Sequence, residues 1–363
     1  MTAKDAGWAG RRVFITGHTG FKGSWLALWL SDLGAQVTGY SLAAPTDPSL
    51  FEQARVREVV QHIEGDVRDG AALAVAMAQA RPEVVFHLAA QPLVRYSYDA
   101  PVETYETNVM GTVHLLEACR RTPDVRAIVC ITTDKCYENR EWVWPYREND
   151  PMGGHDPYSS SKGAAELVIA SYRRSYFSGG GDAALASVRA GNVIGGGDWA
   201  LDRLVPDIVR ALEAGRRPLI RAPGSVRPWQ HVLEALGGYI LIAERMMDGD
   251  PEMASAWNFG PADDDSKPVG WIVERMLEAW GASGWDRPEQ GEQPHEARIL
   301  KLDCSKARSV LGWRPSLPLE QALEKVVEWH RAVARGEDAR AVSLAQLRDY
   351  RDRFRANILE YSL

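Results

Sequence analysis

Cysteine, positive charge and long apolar runs are all scarce in this sequence. Four cysteines without a CxxC pair exclude a disulfide-stapled scaffold and predict reduced thiols in a cytoplasmic protein. Because 49 Asp and Glu outnumber 42 Lys and Arg, and no basic patch is visible, the net charge of -7 predicts no binding to nucleic acid or to anionic membranes. No run reaches the ~18 apolar residues that span a bilayer. The eight histidines show no HxxxH spacing, which predicts that no metal is bound.

What the sequence does contain is an alternation of strand-length apolar runs with segments of helical period. EVVFHLAA and RAIVCITT are almost continuously apolar, as expected for strands buried on both faces of a parallel sheet. The segments between such runs are long enough for the crossovers that parallel strands need. The pattern predicts an α/β fold, a Rossmann-like doubly wound parallel sheet with a smaller C-terminal substrate-binding domain.

The domain division follows from length and from a change of rhythm. With ~150 residues per domain, 363 residues suggest about two domains. Gly-rich and Pro-rich turns replace the regular alternation near residue 190. We therefore assign residues 1–190 to the first domain, to which 229–262 return, and residues 191–228 with 263–363 to the second.

A glycine-rich turn follows the first predicted strand. In VFITGHTGFKGSWL, Gly17, Gly20 and Gly23 lie between a strand and a helix, where glycines let backbone N–H groups approach a pyrophosphate. The second strand ends in YSL, which offers neither the acid that binds a ribose hydroxyl of NAD nor an Arg for the phosphate of NADP, and we expect NAD. Asp66, after the third predicted strand, has two readings: a hydrogen bond to the adenine amine, or a solvated turn carboxylate.

Tyr158 and Lys162 form a YxxxK pair on one face of a predicted helix. A phenol with an ordinary pKa near ~10 is no base at neutral pH, but a lysine cation and an oxidised nicotinamide both favour the phenolate. Together with the glycine turn, this pair resembles the extended short-chain dehydrogenase/reductase superfamily, in which a Thr or Ser completes the triad. Thr133 in CITTDKCYEN is our candidate for that hydroxyl, since parallel strands present ligand contacts at their carboxyl ends.

Asp134 and Lys135 decide which reaction this set performs. Alcohol oxidation or 4-epimerisation needs only the Thr, Tyr and Lys set with a nicotinamide, whereas loss of water also needs an acid for the departing hydroxyl and a base at the neighbouring carbon. Asp134 is our candidate acid, and Lys135 our candidate base once desolvation or nearby cations remove its charge. The alternative is a simple ion pair, although adjacent side chains on a strand point to opposite faces.

Further segments extend the resemblance over most of the chain. They resemble the CDP-glucose branch of the nucleotide-sugar 4,6-dehydratases, whose dTDP-sugar relatives carry Asp-Glu where this sequence has Asp134 and Lys135. The resemblance implies a two-domain fold, tightly held NAD, a homodimer or homotetramer, and a pyrophosphate-linked sugar as substrate. The segments are GHTGFKGSWL, HLAAQPLVR, TNVMGTVHLLEA, TTDKCYEN, YSSSKGAAELV, RAGNVIGGGDWALDRLVPD and RPWQHVLEAL.

The resemblance also implies roles outside the catalytic set. Asn108 corresponds to a helix asparagine that supports the catalytic lysine through water. Asn192, Arg203 and Arg227 correspond to substrate contacts, where a guanidinium fork suits phosphate oxygens. A turn-stabilising Asn192 and a surface Arg227 are the alternatives. The residues expected at the cofactor are Gly17, Thr19, Gly20, Phe21, Gly23, Asp66, Val67, Ala89, Ala90, Gln91, Asn108, Tyr158 and Lys162.

The function implied by the resemblance is a hydro-lyase that converts CDP-D-glucose to CDP-4-dehydro-6-deoxy-D-glucose with NAD. Its catalytic residues would be Thr133, Asp134, Lys135, Tyr158 and Lys162. Two alternatives stay open. A nucleotide-sugar 4-epimerase would keep the carbon 6 hydroxyl and survive Asp134→Asn, whereas a non-catalytic NAD-binding sensor would tolerate Tyr158→Phe. The nucleobase rests on the resemblance alone.

Overall fold

One parallel sheet organises the chain. The computed structural model describes residues 7–179, 183–288 and 299–361, and within them seven strands form a sheet of order β3-β2-β1-β4-β5-β6-β9, while β7 and β8 form a separate parallel pair. The predicted doubly wound parallel sheet is confirmed. The strands are β1 Arg12–Thr16, β2 Gln36–Ser41, β3 Gln61–Glu64, β4 Val84–His87, β5 Ala127–Ile131, β6 Ala184–Ala190, β7 Val193–Ile194, β8 Gln230–His231 and β9 Ala256–Phe259.

Helices fill the crossovers between these strands, and their ends follow ordinary capping chemistry. The longest central helix, α7, begins where the Asp156 side chain accepts a hydrogen bond from Ser159 N, with Pro157 in the first turn. The helices are α1 Phe21–Asp32, α2 Leu50–Gln53, α3 Gly70–Ala80, α4 Val94–Asp99, α5 Pro101–Tyr105, α6 Gly111–Arg120, α7 Pro157–Tyr176, α8 Leu204–Glu213, α9 Val232–Met247, α10 Val269–Trp280, α11 Ser305–Val310, α12 Leu319–Ala334 and α13 Ala339–Tyr361. A π-helical turn, Glu106–Met110, joins α5 to α6, and short 3-10 helices include Asp134–Cys136.

The two faces of the sheet bury different side chains because residues alternate along each strand. In β1, Val13 and Ile15 belong to the hydrophobic cluster on one face, whereas Phe14 belongs to the cluster on the other. The first cluster takes in α1, α9 and α13, and the second takes in α3 and α6. Both faces are therefore covered, as a parallel sheet requires.

A third hydrophobic cluster lies among the described residues of α8, α10 and α12, together with Ile194 of β7. These helices form a smaller layer, of which α8 precedes the last strand of the sheet, β9, in the chain, while α10 and α12 follow it. The last helix, α13, packs instead on α1: the Trp29 and Tyr350 rings meet edge to face at 5.7 Å, and Arg348 and Arg351 both pair with Asp32. Helix α13 thus contributes to the core of the sheet although it ends the chain.

The strand order reverses between β1 and β4, which run side by side with Thr16 opposite His87. In an open α/β sheet, the crevice beyond the carboxyl ends of the strands at such a reversal is where ligands bind. The loops that follow β1, β4 and β5 all open at this edge. They carry the glycine turn, the Ala89 segment and Thr133, so the fold brings three predicted motifs to one place.

Candidate active site

The glycine turn between β1 and α1 is tightly constrained. Gly17 has a φ of 77°, a conformation that favours glycine, and a Cβ there would lie 2.6 Å from Ala89 N. A Cβ on Gly23 would lie 2.1 Å from Gly17 O. Gly20, the residue that precedes α1, offers no side-chain cap, so the first N–H groups of that helix can face an anion. The turn has the form of a pyrophosphate cradle.

The three glycines should differ when each is replaced by alanine. We expect Gly17→Ala to lower the free energy of unfolding by about 1–3 kcal/mol, because alanine strains a positive φ and its Cβ meets Ala89. Gly20→Ala is the matched control: its φ is -76° and its Cβ would lie 3.4 Å from the nearest atom. Its stability should stay within about 0.5 kcal/mol, while its dinucleotide affinity falls. Urea unfolding measures the stability of each variant, and calorimetric titration measures its dinucleotide affinity. Equal free energies of unfolding for the two variants would contradict this geometry.

Thr19, Asp66 and Val67 lie around the ends of β2 and β3. The Thr19 hydroxyl bonds Ser41 Oγ at 2.8 Å and donates to Leu42 O at 2.9 Å, so that side chain fixes the end of β2. Asp66 accepts hydrogen bonds from the backbone and guanidinium of Arg68 at 2.9 and 2.8 Å. Burial opposes ionisation of Asp66, but these bonds to Arg68 hold its pKa below the usual range. Asp66 is therefore neither a free turn carboxylate nor an unoccupied acceptor.

The loop after β4 is tied to α7 through Asn108. The Asn108 amide oxygen accepts from Gln91 N at 2.9 Å, and its nitrogen donates to Gln91 O at 3.1 Å and to Ser161 Oγ at 2.8 Å. Ala89 N donates to Thr16 Oγ1, which links the same loop to β1. The bonds of Asn108 thus fix the Ala89–Gln91 loop against the helix that carries the YxxxK pair. On that helix, Asn108 bonds to the Ser161 hydroxyl.

The strand β5 ends at Ile131, and a 3-10 turn then presents the candidate acid. Thr133 caps this turn by accepting from Lys135 N at 3.3 Å, and its hydroxyl donates to Asp134 Oδ1 at 2.9 Å. Tyr158 shares a side-chain hydrogen bond with Thr133. Asp134 is 2% exposed, and its Oδ2 has no hydrogen-bond partner among the described residues. Because a turn replaces the strand here, strand alternation does not decide where Asp134 and Lys135 point.

Burial dominates the electrostatics of the candidate catalytic residues. It raises the pKa of Tyr158 to about 12, although the bond from Thr133 and the charge of Arg203 act in the opposite direction. The sequence contains cations that favour the phenolate, but in the folded chain desolvation of the Tyr158 phenol outweighs them. Burial lowers the pKa of Lys162 to about 8 and raises that of Asp134 despite its cationic neighbours. A protonated Asp134 carboxyl is the form needed by a general acid.

A buried ion pair behind this set was not found from the sequence. Glu166, one turn after Lys162, pairs with Arg189 of β6 at 2.8 Å, and both side chains are 4% exposed. Glu166 also accepts from Thr132 Oγ1 and from Ser187 Oγ at 2.9 Å. Burial opposes its ionisation, but Arg189 and these hydrogen bonds keep its pKa below the usual range. The available signals were an Arg within an apolar strand and a Glu four residues beyond the lysine.

Cationic side chains approach the same crevice from several elements. Arg227 is 6% exposed, which excludes the surface alternative, and its charge acts on Asp134. Arg203 precedes α8, pairs with Asp198 at 3.4 Å and acts on Tyr158. The backbone carbonyl of Asn192 accepts a hydrogen bond from Gln230 N, three residues after Arg227 in the chain. These positive charges suit a pyrophosphate-containing ligand.

Lys22 is a further cation that the sequence reasoning missed. It is the one charged residue in the mostly apolar stretch from Phe21 to Leu30, and that contrast was a usable signal. Its Nζ lies 3.4 Å from the Tyr239 hydroxyl of α9. Burial, together with Arg203 and Lys162, lowers the pKa of Lys22 to about 7. Phe21, its predicted neighbour at the cofactor, packs partly buried against the first hydrophobic cluster.

Over residues 7–179, 183–288 and 299–361, no three His, Cys, Asp or Glu side chains gather in a way that could hold a metal ion. In the same part of the chain, no helix combines the length and apolar character needed to cross a membrane.

Comparison with known proteins gives consistent matches along the chain. The sequence profile of a family described as GDP-mannose 4,6 dehydratase matches residues 14–326. A CDP-glucose 4,6-dehydratase of Salmonella typhimurium is 55% identical over 347 residues, which cover 94% of this chain and 97% of that protein. A UDP-glucose 4-epimerase of Mycolicibacterium smegmatis is 28% identical over 88% of this chain and 98% of its own length.

Solved structures show the same fold at lower identity. A dTDP-glucose 4,6-dehydratase from Streptomyces venezuelae, with NAD bound, superposes with a TM-score of 0.76 at 22% identity and covers 91% of this chain and 99% of its own. A UDP-glucose 4-epimerase from Thermus thermophilus, in complex with NAD, gives 0.75 at 24% identity, with 88% and 99% covered. At these identities the likeness concerns the fold.

Proposed function

Because this chain belongs to the GDP-mannose 4,6-dehydratase family, we propose that it removes water from CDP-D-glucose to give CDP-4-dehydro-6-deoxy-D-glucose, with NAD as its cofactor. It is thus a NAD-dependent hydro-lyase in this proposal. The observation that carries it is the convergence of a phenol and a buried carboxyl, whose pKa burial raises, on one hydroxyl, that of Thr133, at the carboxyl edge of the sheet. Oxidation alone needs no such buried acid.

The residues of the glycine turn fit the proposed cofactor. Gly17 and Gly23 leave no room for a Cβ, and the uncapped start of α1 suits a pyrophosphate. When bound, NAD supplies an acceptor for the hydrogen and electron pair of carbon 4 and returns them to carbon 6. The net redox change is zero, so tight retention of the cofactor between turnovers is consistent with the proposal.

The proposed proton steps use five side chains. Tyr158, held by Thr133, takes the proton of the carbon 4 hydroxyl, and Lys162 lies one turn along the same helix to orient the site. The ketone formed at carbon 4 acidifies carbon 5. Lys135 removes the carbon 5 proton, and Asp134 protonates the hydroxyl that leaves carbon 6. Lys135 finally returns a proton to carbon 5.

The substrate is proposed to lie between the sheet edge and the smaller layer of α8, α10 and α12. Arg203 and Arg227 are the proposed pyrophosphate ligands, since both bring guanidinium groups to the side of the crevice that holds Tyr158 and Asp134. Asn192 is proposed to assist them. This division keeps the cofactor on the sheet and the nucleotide sugar mostly on the second layer.

A panel of nucleotide sugars tests the proposed function directly. Incubation with CDP-, dTDP-, GDP- and UDP-glucose, followed by mass spectrometry and NMR, should show loss of one water from CDP-glucose and a methyl group at carbon 6. Inversion at carbon 4 without loss of water would instead identify the epimerase alternative. That alternative has less support, because the dehydratase relative shares more sequence with this chain than the epimerase relative does. No turnover of any sugar would favour the sensor.

Assembly into a homo-oligomer in the cytoplasm is part of the same proposal. Val102 of α5, Met110 of the π-helical turn and Leu167 of α7 are 69%, 45% and 62% exposed, and such apolar side chains are candidates for an interface between copies. All four cysteines are free and buried, which suits a reducing compartment. Light scattering after gel filtration would give the number of subunits.

A further inference from the structure

Three buried groups form a continuous hydrogen-bonded chain at the centre of the candidate site. The Tyr158 phenol bonds the Thr133 hydroxyl, and the Thr133 hydroxyl bonds Asp134 Oδ1 at 2.9 Å. The three side chains are 8%, 7% and 2% exposed, so the chain is shielded from bulk water along its length. Thr133 is further fixed because its oxygen accepts from Lys135 N. Phenol and carboxyl are thus linked through one oriented hydroxyl.

The proposed reaction adds one proton to the phenol end of this chain and removes one proton from the carboxyl end. Oxidation at carbon 4 delivers one proton to Tyr158, and loss of water takes one proton from Asp134. The carbon 5 proton leaves to Lys135 and returns from Lys135, so it cancels. After each turnover the phenol end has therefore gained the proton that the carboxyl end has lost, and one transfer between them restores the enzyme.

We propose that the Tyr158–Thr133–Asp134 chain is a proton relay that carries the proton of the carbon 4 hydroxyl to Asp134, from which it leaves in the departing water. This inference rests on the proposed function. As the carbon 4 O–H bond breaks, its proton bonds to the Tyr158 oxygen, the proton of Tyr158 passes to Thr133 Oγ1, and that of Thr133 passes to Asp134 Oδ1. Asp134 then protonates the carbon 6 oxygen as its C–O bond breaks. The electrons of the carbon 5 C–H bond form the double bond between carbons 5 and 6.

The electrostatics of the free chain agree with a relay. Burial raises the pKa of Tyr158 to about 12, which makes a standing phenolate scarce at neutral pH. A phenol that receives one proton while it gives up another needs no standing negative charge. Burial also raises the pKa of Asp134. The Asp134 carboxylate is therefore a better acceptor for the relayed proton, and the carboxyl that forms keeps this proton until the hydroxyl leaves carbon 6.

Other ionisable groups surround both ends of the relay and belong in any reading of pH dependence. Tyr158 faces Arg203 and Asp156 in addition to Asp134. The groups that act on Asp134, or on which it acts, come from its own turn, from α1, from α7 and from the segment before β8: Lys22, Lys135, Cys136, Tyr158 and Arg227.

Thr133→Val and Thr133→Ser test the relay, because valine keeps the shape without the hydroxyl and serine keeps the hydroxyl. In single turnovers with CDP-glucose, we expect the valine variant to be about 10²–10⁴-fold slower and the serine variant to stay within about tenfold of the natural protein. Without the relay, Asp134 must take its proton from solvent. The rate of the valine variant should then fall about tenfold per pH unit above the pKa of Asp134 and rise with added formate or imidazole.

The outcomes separate a relay from a structural role. A valine variant whose rate neither gains this pH slope nor responds to small acids would overturn the relay and leave Thr133 as a residue that positions Tyr158. If valine prevents folding, single turnovers of the natural protein in H₂O–D₂O mixtures decide: the relay predicts a curved dependence on deuterium fraction, because several protons move together, and a straight line contradicts it. Failure of the natural protein to dehydrate CDP-glucose would instead refute the proposed function.

Discussion

Replacing Tyr158 by phenylalanine should lower kcat by about 10³–10⁴-fold while the protein remains folded. In the proposed mechanism the phenol oxygen is the first acceptor of the carbon 4 proton, and general acid–base groups contribute up to about 10⁴ to a rate. Phenylalanine removes only the hydroxyl, which bonds Thr133. The loss of that bond should cost about 0.5–1.5 kcal/mol of stability, too little to unfold the chain. Steady-state kinetics and urea unfolding, measured on the same preparation, check both parts.

Tyr172→Phe is the matched control for this variant. It makes the same chemical change on the same helix, but the Tyr172 hydroxyl donates to Glu117 on the outer side, at 3.1 Å. We expect its kcat to equal that of the natural protein. If both variants lose activity together, the phenol of Tyr158 has no special role; if neither does, the assignment of the base is wrong and a non-catalytic dinucleotide-binding role gains support.

Asp134→Asn and Lys135→Met should separate removal of the carbon 5 proton from loss of water. Asparagine has no carboxyl proton to give, so we expect kcat to fall by about 10²–10⁴-fold. Lys135 is intact in that variant. Oxidation at carbon 4 should slow as well, because the carbon 4 proton must then leave Tyr158 to solvent instead of passing to Asp134. In D₂O, substrate recovered from Asp134→Asn should nevertheless gain deuterium at carbon 5 faster than product forms, since Lys135 still exchanges that hydrogen once carbon 4 is oxidised.

The lysine variant should show the opposite pattern. Lys135→Met loses the proposed base, so neither deuterium at carbon 5 nor the dehydrated product should form at more than about 1% of the natural rate. NMR of the recovered sugar and mass spectrometry of the product measure the two events. Carbon 5 exchange that survives in Lys135→Met would place the base elsewhere. Full activity of Asp134→Asn would favour a 4-epimerase.

Much of the candidate site was visible in the sequence because its signals are local. The spacing of Gly17, Gly20 and Gly23 reports a backbone constraint at one turn, and the structure shows the lack of space at Gly17 and Gly23. Tyr158 and Lys162 lie one helical turn apart whatever surrounds them. The sheet could be predicted for the same reason, since strands that are buried on both faces have almost continuously apolar sequences.

The parts that the sequence did not reveal depend on tertiary surroundings. The direction of the Tyr158 pKa follows from burial against neighbours on several elements, and no spacing rule reports that balance. The Glu166–Arg189 pair joins a helix to a strand across the sheet. The pKa of Lys22 is lowered in part by the charge of Arg203, which lies far away in the chain. The turn at Asp134 also replaces the strand geometry on which side-chain alternation depends.

CDP-D-glucose deuterated at carbon 4 shows whether hydrogen moves within one sugar while water leaves. We expect a product whose carbon 6 methyl group carries that deuterium and whose carbon 5 hydrogen comes from solvent. Deuterium lost to solvent, or kept at carbon 4 in a product that retains its carbon 6 hydroxyl, would contradict it.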